Sequence, residues 1–113
     1  MKPETAFIGL GSNLEKPAAQ IRTGFAALAA LPHTRLTAQS SLYRSAPVGY
    51  ADQPDFINAV ATIETALAPR ALLDALLAIE RSHGRVREFL NAPRTLDLDV
   101  LLYGDLQDRK SVV

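Results

Sequence analysis

Hydrophobic periodicity along this 113-residue chain predicts an α+β fold. Two stretches, Pro17 to Leu31 and Pro69 to His83, repeat apolar residues at helical spacing. Four others alternate, or run apolar, as strands do. In chain order the elements read strand, helix, strand, strand, helix, strand. That βαββαβ order, in a chain 48% hydrophobic and 21% charged, predicts one ferredoxin-like sandwich. Such a sandwich has an antiparallel sheet, two helices on one face, and the other face open to a ligand. The fold hosts many functions, so particular side chains must indicate which.

Ala6 to Leu10 is a short apolar run ended by Gly9, Gly11, Ser12 and Asn13, read as a buried strand entering a turn. Alone, GLGSN is satisfied by a strand-to-helix connection with Ser12 or Asn13 near the cap, though its glycines also let backbone approach a ligand. It is no phosphate-binding P-loop, because no Gly-Lys-Ser/Thr follows. The first helix places Ile21, Phe25 and Leu28 on one stripe, with Pro17 in its first turn and Pro32 just beyond its end. Leu36 to Ser45 has the Thr, Ser and Tyr content of a strand but alternates weakly. A long loop, APVGYADQP, separates it from Asp55 to Thr65. There Ile57, Ala59, Ala61 and Ile63 should face helices. Phe56 and Asn58 then stand on the far face, a ring able to stack a flat ligand beside an amide able to donate and accept.

The second helix aligns Leu72, Leu76 and Ile79, with Leu73 and Leu77 beside them and Gly84 as a C-terminal cap. Glu80 follows directly on the apolar stripe, so its carboxylate is either half exposed or paired. His33 and His83 lack partners at metal-ligand spacing and read as surface or cap residues. The segment RVREFLNAPR is a loop bearing Arg85, Arg87 and Arg94. It leads into a strand in which Leu96, Leu98, Val100 and Leu102 alternate with Asp97, Asp99, Leu101 and Tyr103. The two aspartates share a face with α-carbons roughly 7 Å apart. Their mutual repulsion calls for cations, and their oxygens are hard ligands suited to magnesium. Three arginines beside them suit an anion that magnesium also binds, namely polyphosphate.

Formal charge is zero and no basic run occurs, so neither a nucleic acid nor a membrane surface is expected as partner. Cysteine is absent, which excludes disulfides and thiolate metal sites. No apolar run approaches the roughly 20 residues of a membrane span, and a cytoplasmic location is expected.

Taken together, GLGSN, YRSAPVGYADQPDFINA, IERSHGRVR and NAPRTLDLDVLLYGD closely resemble the hydroxymethyldihydropterin pyrophosphokinases of folate biosynthesis. The paired blocks DQPDFINA and PRTLDLD are far more specific in this order than either alone. The resemblance implies transfer of the β,γ-pyrophosphate of ATP to 6-hydroxymethyl-7,8-dihydropterin, releasing AMP. Carried onto matching positions, it implies that Asp97 and Asp99 hold two magnesium ions and that Arg85 and Arg94 share the catalytic work with them. Phe56 would stack on the pterin and Asn58 bond its edge, assisted by Gly11, Ser45 and Val48. Arg87 would touch phosphate, with Glu80 and Val100 on the nucleotide side. No protein base stands out, and Asp97 is the nearest candidate. Loops 46–54 and 85–93 would cover the substrates, and a monomer acting on small molecules is expected.

Three departures qualify the resemblance. Leu90 stands where an arginine often precedes the pair at Asn91 and Ala92, and Leu77 where some members are polar. The family's later Pro-His and Arg-x-Phe blocks do not follow, so residues 1–107 are expected to be a pyrophosphokinase domain incomplete at its C-terminus and poorly active. DRKSVV, residues 108–113, matches one translated frame of a common sequencing adapter and is expected to be a non-native tail. The rival expectation is a non-catalytic ferredoxin-like ligand-binding module whose aspartates and arginines form a solvated ion-pair face.

Overall fold

The computed structural model describes residues 3–13, 16–45, 55–83 and 96–104. Strand β1 (Glu4–Ser12) lies at the centre of an antiparallel sheet. On one side it pairs with β4 (Phe56–Thr65), and on the other with β5 (Asp97–Tyr103). Strands β2 (Thr34–Gln39) and β3 (Tyr43–Ser45) pair in succession along the outer side of β4. Helices α1 (Pro17–Ala29) and α2 (Pro69–Ser82) cover one face, which makes the fold the ferredoxin-like α+β sandwich that the periodicity predicts. Among the described residues no helix is long and apolar enough to cross a membrane.

The core forms where the alternating positions of the strands meet the two helical stripes. Ala6, Ile8 and Leu10 of β1, with Ala59, Ala61 and Ile63 of β4, are buried beneath Ile21, Phe25 and Leu28 of α1 and Leu72, Leu76 and Ile79 of α2. Each isoleucine, leucine or phenylalanine among them contributes roughly 1.5–3 kcal/mol by leaving water. Gly24 lets α1 approach closely. A Cβ there would stand 2.9 Å from Leu10 Cδ2 and 3.3 Å from Leu96 Cδ2.

Three local expectations change. First, β1 does not stop at its glycines. Gly11 and Ser12 pair with Asn58 and Ile57, and the N-cap of α1 is Lys16, in the left-handed region with φ 59° and no side-chain capping bond. Ser12, 1% exposed, belongs to the sheet and does not cap the helix.

Second, the strand expected over Leu36 to Ser45 is two. Between them Ser40 takes over the ladder: its N–H donates to the Val60 carbonyl at 2.8 Å and its Oγ accepts the Val60 N–H at 2.8 Å. Within β2 the register also shifts, Leu36 pairing with Ile63 and Ala38 with Thr62, so a strict two-residue period is not kept.

Third, β5 carries an irregularity. Phe7 pairs with Leu102 but Ile8 with Val100, so Leu101 is an extra residue on that strand. Beyond it the faces exchange. Leu102 joins Phe7 on the open face, whereas Tyr103 turns onto the core and its hydroxyl donates to the Leu67 carbonyl at 2.6 Å.

Two predictions follow from this packing. Gly24→Val is expected to destabilise the fold by about 1–3 kcal/mol in urea unfolding, because α1 must lift off Leu10 and Leu96. His83, the C-cap of α2, has Nδ1 2.7 Å from Gln20 Oε1 of α1, and burial pushes its imidazole below the usual value. The unfolded chain then binds a proton more readily. Stability should therefore fall as pH drops through about 6.5 and level off below the folded imidazole's value, and His83→Gln should remove that part of a melting-temperature profile.

Candidate active site

β1 supplies the floor of the site. Ile8, Leu10 and Ser12 are buried toward the helices, so Gly9 and Gly11 fall on the opposite, open face. Gly11 pairs with Asn58 on one side and Asp97 on the other, and Gly9 with Val60 and Asp99. The middle of the open face thus carries only hydrogens, between an amide and two carboxylates on strands roughly 10 Å apart. A Cβ at Gly11 would stand 3.3 Å from Asn58 Oδ1, and one at Gly9 would stand 3.3 Å from Leu101. The trough is therefore open above Gly11 and closed by Leu101 toward Gly9.

The amide wall is built by diagonal pairing. Asn58 Nδ2 donates to Ser45 Oγ at 2.8 Å, which turns Oδ1 toward Gly11. Phe56 pairs with Ser45 and lies two residues from Asn58, so its half-buried ring shares the face. The structure brings Gly11, Ser45, Phe56 and Asn58 together on one face.

Asp97 and Asp99 form the opposite wall. Asp97 is half-buried with Oδ1 shielded from water, and Asp99 is exposed. Among the described residues no three His, Cys, Asp or Glu side chains group together. Among the described residues, β5 therefore offers a hard cation two carboxylates. That suits a metal that keeps several waters or takes phosphate oxygens as its remaining ligands. Glu80 resolves in favour of pairing: it is 4% exposed and Oε2 accepts the Leu98 N–H at 2.7 Å. Val100 pairs with Ile8 and is exposed at the outer strand. Val48, Arg85, Arg87 and Arg94, with loops 46–54 and 85–93 and Gly84, lie outside the described residues.

A family model of 7,8-dihydro-6-hydroxymethylpterin-pyrophosphokinase (HPPK) matches residues 7–112. The chain belongs to the HPPK family. A 2-amino-4-hydroxy-6-hydroxymethyldihydropteridine pyrophosphokinase of Pseudomonas aeruginosa is 54% identical over 102 residues, covering 90% of this chain and 63% of that relative. A protein of the same name from Haemophilus influenzae is 52% identical over 101 residues, covering 89% and 63% respectively. One from Pseudomonas putida is 55% identical over 100 residues, covering 88% and 82%. The chain thus spans 63% of the length of the first two HPPK relatives and more of the third.

Two parts of this HPPK face escape sequence reasoning. Tyr43, 54% exposed, pairs with Asn58 and extends the amide wall, and its only signal is its place two residues before Ser45 in a weak strand. Leu101 stands on the aspartate face where alternation puts it, but nothing in the run Leu101, Leu102, Tyr103 announces that it closes the trough toward Gly9. Gly11→Val is expected to push Asn58 off Ser45. The change should appear as a shift of the Asn58 Nδ2 proton resonances and a loss of about 1–3 kcal/mol in unfolding free energy.

Proposed function

We propose that the open sheet face binds ATP and 6-hydroxymethyl-7,8-dihydropterin and supports pyrophosphate transfer between them. The observation that carries this reading is the bare Gly11 floor between Asn58 and Asp97. A flat ring fits where the sheet has no side chain. The polyphosphate belongs over β5, where the carboxylates would hold its cation.

In this reading Phe56 stacks on the pterin. Asn58, with one of its two N–H donors committed to Ser45, presents Oδ1 to a ring N–H. Gly11 and Val48 complete the pterin's surroundings. The hydroxymethyl oxygen bonds to the β-phosphorus of ATP, the bond from that phosphorus to the α,β-bridging oxygen breaks, and AMP leaves with the bridging oxygen. The hydroxyl proton passes to water, with Asp97 the nearest side-chain base. Arg85, Arg87 and Arg94 neutralise phosphate oxygens, and Glu80 and Val100 line the nucleotide side. Two magnesium ions on Asp97 and Asp99, when bound, would offset the charge gathering on the phosphates. Little covalent chemistry falls to the protein, so holding two substrates in line with charge compensated is the main demand on it. The protein would act as a cytoplasmic monomer on small molecules.

Magnesium-dependent AMP formation from ATP and the hydroxymethylpterin tests the proposal. Asp97→Ala and Asp99→Ala should each lower the rate by about 100-fold or more, the scale of losing a charge-stabilising contact. Phe56→Ala should raise the KM for pterin and leave that for ATP near its starting value. A chain that forms no AMP and whose aspartate variants bind nucleotide as the wild type does would instead mark a non-catalytic ligand-binding module.

A further inference from the structure

Glu80 stands where helix, outer strand and carboxylate pair meet. β5 is the last strand in the order β2-β4-β1-β5, so backbone groups it turns away from β1 have no ladder partner within the described sheet. The Leu98 N–H is one of these, and Glu80 Oε2 accepts it at 2.7 Å. The acceptor is buried, and it is brought there by an α2 whose preceding residues Leu76 and Ile79 are anchored in the core.

The location of this bond gives it a role. The peptide plane that ends in the Leu98 N–H begins at the Asp97 carbonyl, and Asp99 is the next residue. Holding that plane therefore fixes the link between the two aspartates, while Leu98 itself, 6% exposed, pins the segment from the core side.

We propose that Glu80 is a positioning residue for the Asp97–Asp99 pair. By accepting the Leu98 N–H it sets the spacing at which the two carboxylates meet a divalent cation. The proposal rests on the reading of these aspartates as metal ligands. It assigns Glu80 to the strand through its reach and its acceptor oxygen. A direct contact with nucleotide would instead depend on its charge. The two roles separate under substitution: Glu80→Gln keeps reach and acceptor but not charge, whereas Glu80→Asp keeps charge but shortens the reach.

The test uses the full chain, with Mn2+ alone as the probe ion. Amide hydrogen exchange at Leu98 is read by NMR, and Mn2+ affinity by its relaxation effect on water. Glu80→Leu and Glu80→Asp are expected to speed Leu98 exchange and to weaken Mn2+ binding by about 10- to 100-fold, as loss of a ligand's supporting hydrogen bond does. Glu80→Gln should stay within a few-fold of wild type in both measurements. If Glu80→Leu does not fold, the order of the Gln and Asp variants still decides. Glu80→Gln weakening Mn2+ as much as Glu80→Asp, or all variants exchanging at Leu98 like wild type, would overturn the proposal. Wild type that binds no Mn2+ would overturn the metal reading itself, which the exchange data, needing no metal, keep distinct from the Glu80 bond.

Discussion

The structure depends on β1 having two unlike faces. Ala6, Ile8 and Leu10 must be fully apolar and buried, since both helices rest on them, while Gly9 and Gly11 leave the other side without side chains. Each strand glycine costs roughly 0.5–1 kcal/mol relative to alanine. Burial of one neighbour such as Ile8 or Leu10 contributes roughly 1.5–3 kcal/mol, so the alternation is affordable within a single strand. Both walls then follow from pairing, because antiparallel neighbours of Gly11 must be Asn58 on one side and Asp97 on the other.

The two walls meet different physical demands and are built differently. A ring with neutral edges is read by geometry, and the Asn58 amide is oriented by one hydrogen bond to Ser45 on the adjacent strand. In the proposed reading a polyphosphate with its cation would be held by charge, and charge is tolerant of direction but intolerant of unbalanced burial. Asp97 and Asp99 accordingly lie on an outer strand, one half-buried and one exposed, where water and ligand can both reach them.

Much of this was legible in the sequence because alternation and helical spacing are direct images of burial. Ile21, Phe25 and Leu28, and Leu72, Leu76 and Ile79, are the buried stripes their spacing indicates. Phe56 and Asn58 share the face their parity requires, and so do Asp97 and Asp99. What escaped were departures from a two-residue period. The extra residue at Leu101 exchanges the faces of Leu102 and Tyr103, and Ser40 substitutes its hydroxyl for a ladder carbonyl. Neither leaves a mark in composition, since an inserted leucine among leucines and a serine in a polar strand look ordinary. The partner of Glu80 was illegible for a related reason: the donor is a backbone N–H, which every residue but proline carries.

Gly11, Asn58, Asp97 and Asp99 are each flanked in sequence by a core residue. Gly11 lies between Leu10 and Ser12, Asp97 between Leu96 and Leu98, and Asn58 beside Ala59, all of them buried. A strand residue whose neighbours are locked into the core has little freedom to rotate, so the open face inherits its rigidity from the packed one. Gly24 shows how direct the coupling is: α1 touches Leu10 and Leu96 there, the residues next to Gly11 and Asp97. The helices thus take no part in forming the trough, yet the distance at which α1 packs determines where its floor and its carboxylate wall stand. Precision at the site is a property of the opposite side of the sheet.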